Sequence, residues 1–351
     1  MGLLDDASLG SLRIERMIFH VVGPNEEDLV LMDEVDVRSV GDFFLDRIKE
    51  TNIGNRFNFI GPHQGVRPSL ASIWKDQNSF VEVSKQLAES FQAQHETVAS
   101  KKGAFIVALL SGLQQRVFAL IKFDDLRVLR FRSEVGQDGR VKAIVSEIDN
   151  TFQEDRKAMQ KSALIVLTEE SGDVAVFDRT NRQNITDYFR AFLGVKRLYT
   201  PEQATTRLKK ALTAAFTKHQ TEASDDVRLS WRERLFNATR QRDAVEPEED
   251  FEVFGASVFG EFWKSVEFRQ SVAKELDREK ISGEAIVLDR KLFTKPTLRR
   301  LKTLENVVLR YPEDLNGVVV KIEKHKDGSA QIIINTERIV DNDLMDGPAQ
   351  A

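Results

Sequence analysis

Cysteine is absent from the chain of 351 residues, and tryptophan and tyrosine occur only three times each. Without cysteine there is no disulfide, no thiolate nucleophile and no cysteine-based zinc site. The five histidines are scattered, and no two of them lie at the short spacings that metal sites use. The shortage of tryptophan and tyrosine argues against a protein that stacks single-stranded bases on aromatic rings.

Further absences narrow the function. No phosphate-binding glycine loop, no dinucleotide fingerprint and no GxSxG nucleophile motif is present. We therefore predict no cofactor, no bound metal and no catalytic residue. No apolar run is long enough to span a bilayer, and the acidic first residues do not resemble a signal peptide. We expect a cytoplasmic protein without a membrane partner.

The charged residues that are present are distributed unevenly. The chain has a net charge of −5, and its acidic residues concentrate near the N-terminus and at 243–252. The stretch 290–302, in contrast, has six Lys or Arg and no acid. Such a separation of charge is expected of a protein in which one face attracts an anionic partner and the opposite face repels it.

The stretch from Asn184 to Lys218 has the clearest pattern in the chain. Apolar residues recur at helical spacing from Ile185 to Leu193, and Gly194 follows where a left-handed C-cap favours glycine. A second helix begins at residues 200–203, TPEQ, which form a capping box with proline in the first turn. The connector between the two helices is too long for a helix-turn-helix motif.

This stretch is also basic. Nine Lys or Arg and only two acids lie between Arg179 and Lys218, a local net charge of +7. If the apolar stripe of the second helix packs inwards, Arg207, Lys210 and Lys218 border one flank and Lys209 the other. We predict phosphate contacts from this region at Arg182, Arg190, Lys196, Arg197, Arg207, Lys209 and Lys210. A second patch of phosphate-binding cations is predicted at Arg299 and Arg300.

The order of the strand and helix patterns predicts an α+β fold. We expect an N-terminal α+β domain with a mixed or antiparallel sheet at 1–178, followed by a basic helical region at 179–242. An acidic linker at 243–250 then leads to a smaller C-terminal domain with a helix and β-strands at 251–340. The residues at 341–351 are expected to form a frayed tail. One continuous helix is expected from Phe251 to Lys280. No strand is expected between Leu288 and Val307.

Several segments, in the same order along the chain, resemble one bacterial family. They are IERMIFHVV at 14–22, GAFIVALL and VFALIKF between 103 and 123, NITDYFRAFLGVKR at 184–197, TLRRLKTL at 297–304 and NGVVVKIE at 316–323. The set resembles the bacterial nucleoid-associated proteins of the NdpA type, and DYFRAFLG is its sharpest part. The resemblance implies a non-enzymatic, DNA-associated protein located in the nucleoid. Together with the charge pattern, it predicts binding to the phosphate backbone of double-stranded DNA with little sequence specificity.

Two alternatives stay open. One is a protein–protein interaction module. Its basic face would bind an acidic protein, or the aromatic helix 251–268 would form a homodimer. A phage-defence system is one setting for such a module. The other is a Mg-dependent nuclease, because Asp289 and Lys291 follow an apolar strand in the pattern that some nucleases use to hold a metal and activate water.

Overall fold

The structure, a computed structural model, describes residues 2–39, 41–94, 101–124, 128–135, 141–148, 158–169 and 171–343. Within these ranges the chain forms a large antiparallel sheet with helices on its faces, then a helical region, then short β-ribbons. The predicted α+β class is confirmed. The predicted frayed tail lies almost entirely outside the described residues.

The N-terminal strands are β1 (Arg13–Val22), β2 (Asn55–Phe59), β3 (Gly103–Ser111), β4 (Arg116–Asp124), β5 (Val128–Val135), β6 (Val141–Ile148), β7 (Met159–Leu167), β8 (Gly172–Asp178) and β9 (Val195–Arg197). In the described part of the chain, seven of them form one antiparallel sheet in the order β1-β3-β4-β7-β8-β2-β9. Strands β5 and β6 form a separate hairpin.

The central strands are apolar along their whole length because both faces of the sheet are covered. Along β3, Phe105, Val107 and Leu109 point into one buried cluster. Ile106, Ala108 and Leu110 point into another on the opposite face. This alternation follows from the two-residue repeat of a strand, and it explains why GAFIVALL reads as a continuous apolar run rather than an alternating one.

Helices cover both faces. The N-terminal helices are α1 (Asp6–Ser11), α2 (Gly41–Glu50), α3 (Arg67–Lys75), α4 (Phe80–Ala93) and α5 (Asp187–Leu193). Helices α3, α4 and α5 pack on the face that carries Phe105. Helix α2 packs on the opposite face through Phe44 and Ile48.

The helical region has a core of its own. It is built from α6 (Pro201–His219), α7 (Asp225–Arg240), β10 (Ala244–Val245), α8 (Glu249–Phe259), α9 (Val266–Arg278) and β11 (Ile286–Val287). Aromatic rings dominate this core: the ring centroids of Phe216 and Trp231 are 4.9 Å apart, and those of Phe259 and Phe268 are 4.8 Å apart. One buried cluster runs from Ala204 to Phe293.

Two short antiparallel ribbons follow the helical region. The first pairs β12 (Leu298–Lys302) with β13 (Val308–Pro312), and the second pairs β14 (Val320–Lys324) with β15 (Ala330–Ile334). Among the described residues, none beyond Phe293 belongs to any of the three core clusters. The ribbons therefore lie outside the main cores and have most of their surface in solvent.

Two predicted elements are corrected. The continuous helix predicted from Phe251 to Lys280 is broken, because Gly260 adopts φ 58° and ψ −137°, a conformation that a helix cannot contain. A 3₁₀ turn, Gly260–Lys264, separates α8 from α9. Strand β12 lies in a segment for which no strand was predicted. Its cations are interspersed with leucines, and the strand is stabilised by its pairing with β13.

The predicted domain boundaries stay a prediction. In the segment proposed as an acidic linker, Ala244–Val245 form β10, which pairs with β11, and Glu249 begins α8. Side chains on both sides of this segment, such as Trp231 and Phe254, share one buried cluster. Within the described ranges, every helix is too short or too polar to cross a membrane.

Candidate nucleic-acid interface

Helix α5, which contains the motif DYFRAFLG, is anchored in the core. Phe189 and Phe192 are buried, and the Phe192 ring packs edge-on against Phe91 with 5.0 Å between the centroids. The helix ends at Gly194 in the left-handed conformation, with φ 70° and ψ 40°, as the sequence predicted. A Cβ at Gly194 would lie 2.7 Å from the Cα of Gly65. The aromatic side chains of the motif therefore serve packing.

A buried carboxylate holds the start of this helix. Asp178 Oδ1 accepts hydrogen bonds from Lys161 Nζ at 2.7 Å and from the Thr180 amide at 2.9 Å. Its Oδ2 accepts from the amide and the hydroxyl of Thr186 at 2.8 and 2.9 Å. Thr186 is the N-cap of α5. Burial lowers the pKa of Lys161 and raises the pKa of Tyr188, whose ring lies 5.0 Å from Lys161 Nζ.

The two predicted helices do not form a helix-turn-helix. The connector between them includes β9, which pairs with β2 and completes the edge of the large sheet. Helix α6 begins with the predicted capping box, in which Thr200 Oγ1 accepts from the Gln203 amide at 3.2 Å. A sheet strand therefore separates α5 from α6 and fixes their relative positions.

The flanks of α6 match the sequence prediction, but the cations of one flank are paired with acids of α9. Lys210 Nζ lies 2.6 Å from Glu279 Oε1, and Arg207 Nη1 lies 3.7 Å from Glu279 Oε2. Lys218 pairs with Glu275, whose pKa this contact holds below its usual range. The two acids lie four residues apart at the C-terminal end of α9. Their spacing places them on one helix face, a signal that sequence reasoning missed.

Lys209 lies on the other flank and faces solvent. Its Nζ donates a hydrogen bond to the carbonyl oxygen of Leu292 at 2.9 Å and lies 5.7 Å from the centre of the Phe293 ring. A carbonyl leaves the charge of the lysine in place. The contact also brings Lys209 next to the turn that carries Lys291 and leads to Lys295. Both of these lysines are exposed and have no ion pair among the described residues.

Arg197 is turned inwards. Its Nη2 donates to the carbonyl oxygen of Ala285 at 2.8 Å and lies 3.4 Å from Glu284 Oε2, and the guanidinium stacks on Phe57 at 5.4 Å from the ring centre. Burial lowers the pKa of Arg197. Burial also raises the pKa of Glu284, to about 7, although Arg197 and Arg56 act in the opposite direction. The pair connects the edge of the sheet to the helical region.

The three remaining cations of the first predicted group lie apart from one another. Arg190 is paired with Asp187 at 2.6 Å on α5. Lys196 is exposed on β9 and has no ion pair within the described part of the chain. Arg182 lines a cavity of about 280 Å³ that is also lined by Arg179, Glu50, Glu246 and Glu248. With Asp178, acids outnumber arginines in the lining by four to two, so the net negative charge of the cavity disfavours a phosphate.

The second predicted patch lies on the β12–β13 ribbon, and its two arginines point in opposite directions. Arg299 faces inwards and makes a double hydrogen bond to Glu313, at 2.6 and 2.5 Å. Arg300 is exposed and sits directly opposite Arg310 across the ribbon. Lys302 is exposed on the same face. Arg310 was not identified from the sequence, because the register between β12 and β13 was unknown.

Six exposed cations remain: Lys209 on α6, Lys291 and Lys295 in the segment after β11, and Arg300, Lys302 and Arg310 on the first ribbon. We call this set the C-terminal basic surface. All six side chains are exposed, and among the described residues none of them has an acidic partner. Two neighbouring acids pair with other arginines: Glu313 holds Arg299, and Asp243 holds Arg290 at 2.7 Å. Positive charge therefore remains uncompensated here, unlike on the flank of α6 that faces α9.

Asp289, the residue of the nuclease alternative, caps a turn. Its Oδ1 accepts from the Lys291 amide at 3.1 Å, and its own amide donates to Thr205 Oγ1 at 2.9 Å. In the part of the chain that the structure covers, no three His, Asp or Glu side chains are grouped so that they could hold a metal. The observed contacts give Asp289 a structural role at the end of β11.

The sheet, the helical core and the exposed cations together define a mixed α+β protein with a basic surface near its C-terminal end. The family model described as Nucleoid-associated protein YejK matches residues 18–316, and the chain belongs to that family. Membership confirms the family resemblance noted from the sequence and supports a nucleoid-associated role. No curated protein matches the chain.

Proposed function

We propose that the protein binds double-stranded DNA in the nucleoid through phosphate contacts, with little sequence specificity and without catalysis. The observation that carries the proposal is the C-terminal basic surface, where six exposed cations have no acidic partner in the described chain. Family membership supports the nucleoid as the setting within the cytoplasm. Duplex DNA is the proposed partner, because its dense negative charge fits such a surface.

The proposed surface includes Lys209 and Arg300 from the residues predicted by sequence and adds four more cations. Arg197 is held inside the protein by Glu284 and the Ala285 carbonyl. Arg207 and Lys210 share Glu279, and Arg299 is bound to Glu313. A cation that is already paired gains less from a phosphate, because the existing pair must be broken first.

Phosphate binding of this kind depends steeply on salt. Each neutralised phosphate releases counterions and contributes about −0.9 to the slope of log K against log salt. The steepest slope that the C-terminal basic surface could give is therefore about −5, if each of its six cations neutralised one phosphate. With that slope, raising the salt from 50 to 200 mM would lower the affinity by a factor of up to about 10³.

Titrations of a fluorescent random-sequence duplex at several salt concentrations test the proposal. Lys209→Ala is compared with Lys210→Ala, its neighbour on α6, whose charge is already balanced by Glu279. We expect Lys209→Ala to reduce the slope by about one and Lys210→Ala to leave it nearly unchanged. A salt-independent complex, or equal effects of the two substitutions, contradicts the proposed surface.

A second candidate function, homodimerisation, is favoured by a separate observation. The C-terminal segment exposes Leu304, Val318, Ile334, Ile339 and Val340, each at least half exposed. An isolated two-stranded ribbon is only marginally stable in water, so a second copy that covers these side chains would stabilise it. Size-exclusion chromatography with light scattering measures the mass. A monomer at micromolar concentration would exclude this candidate.

A further inference from the structure

The first C-terminal ribbon is an isolated two-stranded element with one face open to solvent. Strands β12 and β13 pair with each other, and within the described residues neither pairs with a third strand. Leu301, Leu309 and Tyr311 lie on the inner face with Arg299. The other face presents Leu298, Arg300, Lys302, Val308 and Arg310, all exposed.

The charges on the open face are all of one sign. Arg300 and Arg310 are directly opposite each other in the register, so their Cβ atoms are about 5 Å apart. Like charges in this position destabilise a ribbon. No acid lies on this face; Glu305 is in the turn between the strands, where its hydrogen bond with Thr303 holds its pKa below the usual range. An anion placed against the face would relieve the repulsion.

The dimensions of the ribbon match those of a DNA groove. Two paired strands are about 5 Å apart, and alternate side chains on one face repeat every 7 Å or so, about two base-pair steps. The major groove of B-form DNA is about 12 Å wide and admits a two-stranded ribbon, whereas the minor groove is only about 6 Å wide. The major groove of duplex RNA is too deep and narrow for side chains to read.

We propose that the open face of the β12–β13 ribbon lies in the major groove of double-stranded DNA. Arg300 and Arg310 reach the purine N7 acceptors of the groove floor, and Lys302 and Lys295 bind the flanking phosphates. Leu298 and Val308 contact thymine methyl groups. Every base pair presents a purine N7 in this groove, so the contact needs little sequence selectivity. The inference rests on the DNA-binding function proposed above and assigns it a groove and a structural element.

A chemical modification that fills only the major groove provides the test. Binding of the full chain is measured by fluorescence anisotropy to a plain duplex and to the same duplex with glucosylated 5-hydroxymethylcytosine. The sugar occupies the major groove and leaves the phosphates and the minor groove in place. We expect an affinity at least about tenfold lower for the glucosylated duplex, the loss of roughly one good base contact. Duplex RNA is expected to bind at least about tenfold more weakly than plain DNA.

The double variant Arg300→Ala/Arg310→Ala connects this discrimination to the ribbon. We expect it to bind the plain and the glucosylated duplex with affinities within about twofold of each other. The matched control is Lys321→Ala/Lys326→Ala, which removes two exposed charges from the second ribbon and should retain the discrimination. Circular dichroism checks that both variants are folded; because Arg300 and Arg310 are exposed and unpaired within the described chain, their removal should not unfold the protein.

The outcomes separate the inference from the function on which it rests. If the unmodified chain does not bind the plain duplex, the proposed DNA-binding function itself is wrong. If it binds plain and glucosylated DNA equally, or if duplex RNA competes as well as duplex DNA, the major-groove inference is overturned while DNA binding stands. Discrimination that persists in Arg300→Ala/Arg310→Ala would also overturn it, because another element would then occupy the groove.

Discussion

Arg197, which is partly buried, forms an ion pair with the buried Glu284, with 3.4 Å between Nη2 and Oε2, across the junction between the large sheet and the helical region. Each partner retains one polar atom, Arg197 Nη1 and Glu284 Oε1, without a hydrogen bond in the described chain. The pair is therefore incompletely satisfied, and burial raises the pKa of Glu284 to about 7 in spite of the neighbouring arginines.

The stability of the protein should depend on pH through Glu284. Its pKa rises from 4.5 to about 7 on folding, so the folded state binds the proton more tightly, and stability falls as the pH rises through this window. The effect is at most about 3 kcal/mol. Glu284→Gln cannot titrate. We expect the free energy of unfolding of the wild type, minus that of the variant, to fall between pH 4.5 and 7 in urea titrations.

Glu275→Gln serves as the control with the opposite sign. Its hydrogen bond with Lys218 lowers the pKa of Glu275, so the stability that it contributes is present above its unfolded pKa and is lost as the pH falls below it. The free energy of unfolding of the wild type, minus that of Glu275→Gln, should decrease only as the pH falls below the unfolded pKa of Glu275. Parallel stability curves for the wild type and Glu284→Gln would refute the assigned pKa.

Substitutions of Asp178 and Lys161 should have strongly non-additive effects on the free energy of unfolding. Asp178→Ala leaves Lys161, whose side chain is 1% exposed, without its acid, and we expect a loss of about 3–5 kcal/mol. Lys161→Met leaves Asp178 with its three hydrogen bonds from Thr180 and Thr186, so the loss should be smaller. The double variant should cost less than the sum of the two. Additivity within about 0.5 kcal/mol in denaturant unfolding would rule out the coupling.

Replacing Gly194 by alanine should destabilise the protein by about 2 kcal/mol or more. The left-handed backbone costs an L-residue about 1 kcal/mol, and the added Cβ would meet the Gly65 backbone at 2.7 Å. Gly317→Ala is the matched control, since Gly317 has φ 79° and nothing within 4 Å of its added Cβ. We expect it to cost no more than about 1 kcal/mol. Equal losses in urea unfolding would show that the contact with Gly65 is unimportant.

Removal of an acid from α9 should strengthen DNA binding if the proposed function holds. Glu279→Gln removes the carboxylate that pairs with Lys210 and Arg207, so that the charges of these two cations become available to phosphates, although Arg207 still donates to the carbonyl oxygen of residue 279. The salt slope should become steeper by about 0.9 for each new contact. Glu202→Gln changes the net charge equally but releases no ion pair within the described residues, and it should have a smaller effect. An affinity gain that is the same for both variants would reflect net charge alone.

Local sequence signals predicted the local structures accurately. The apolar face of α5, the left-handed Gly194 and the capping box at Thr200 depend on residues a few positions apart, and all three are confirmed. Strands β9 and β12 were missed because neither has a clear strand pattern of its own. Each is short and is stabilised by a partner strand, and β2, the partner of β9, is more than a hundred residues away in the chain.

The sequence alone determined which segments carry positive charge, the flank of α6 on which each cation lies, and the family to which the chain belongs. The tertiary structure decided which of these charges are available. Glu279 approaches Arg207 and Lys210 only because α9 packs against α6, and Arg310 meets Arg300 only through the register of β12 and β13. Charge is a property of each residue, but its compensation depends on neighbours that only the fold brings together.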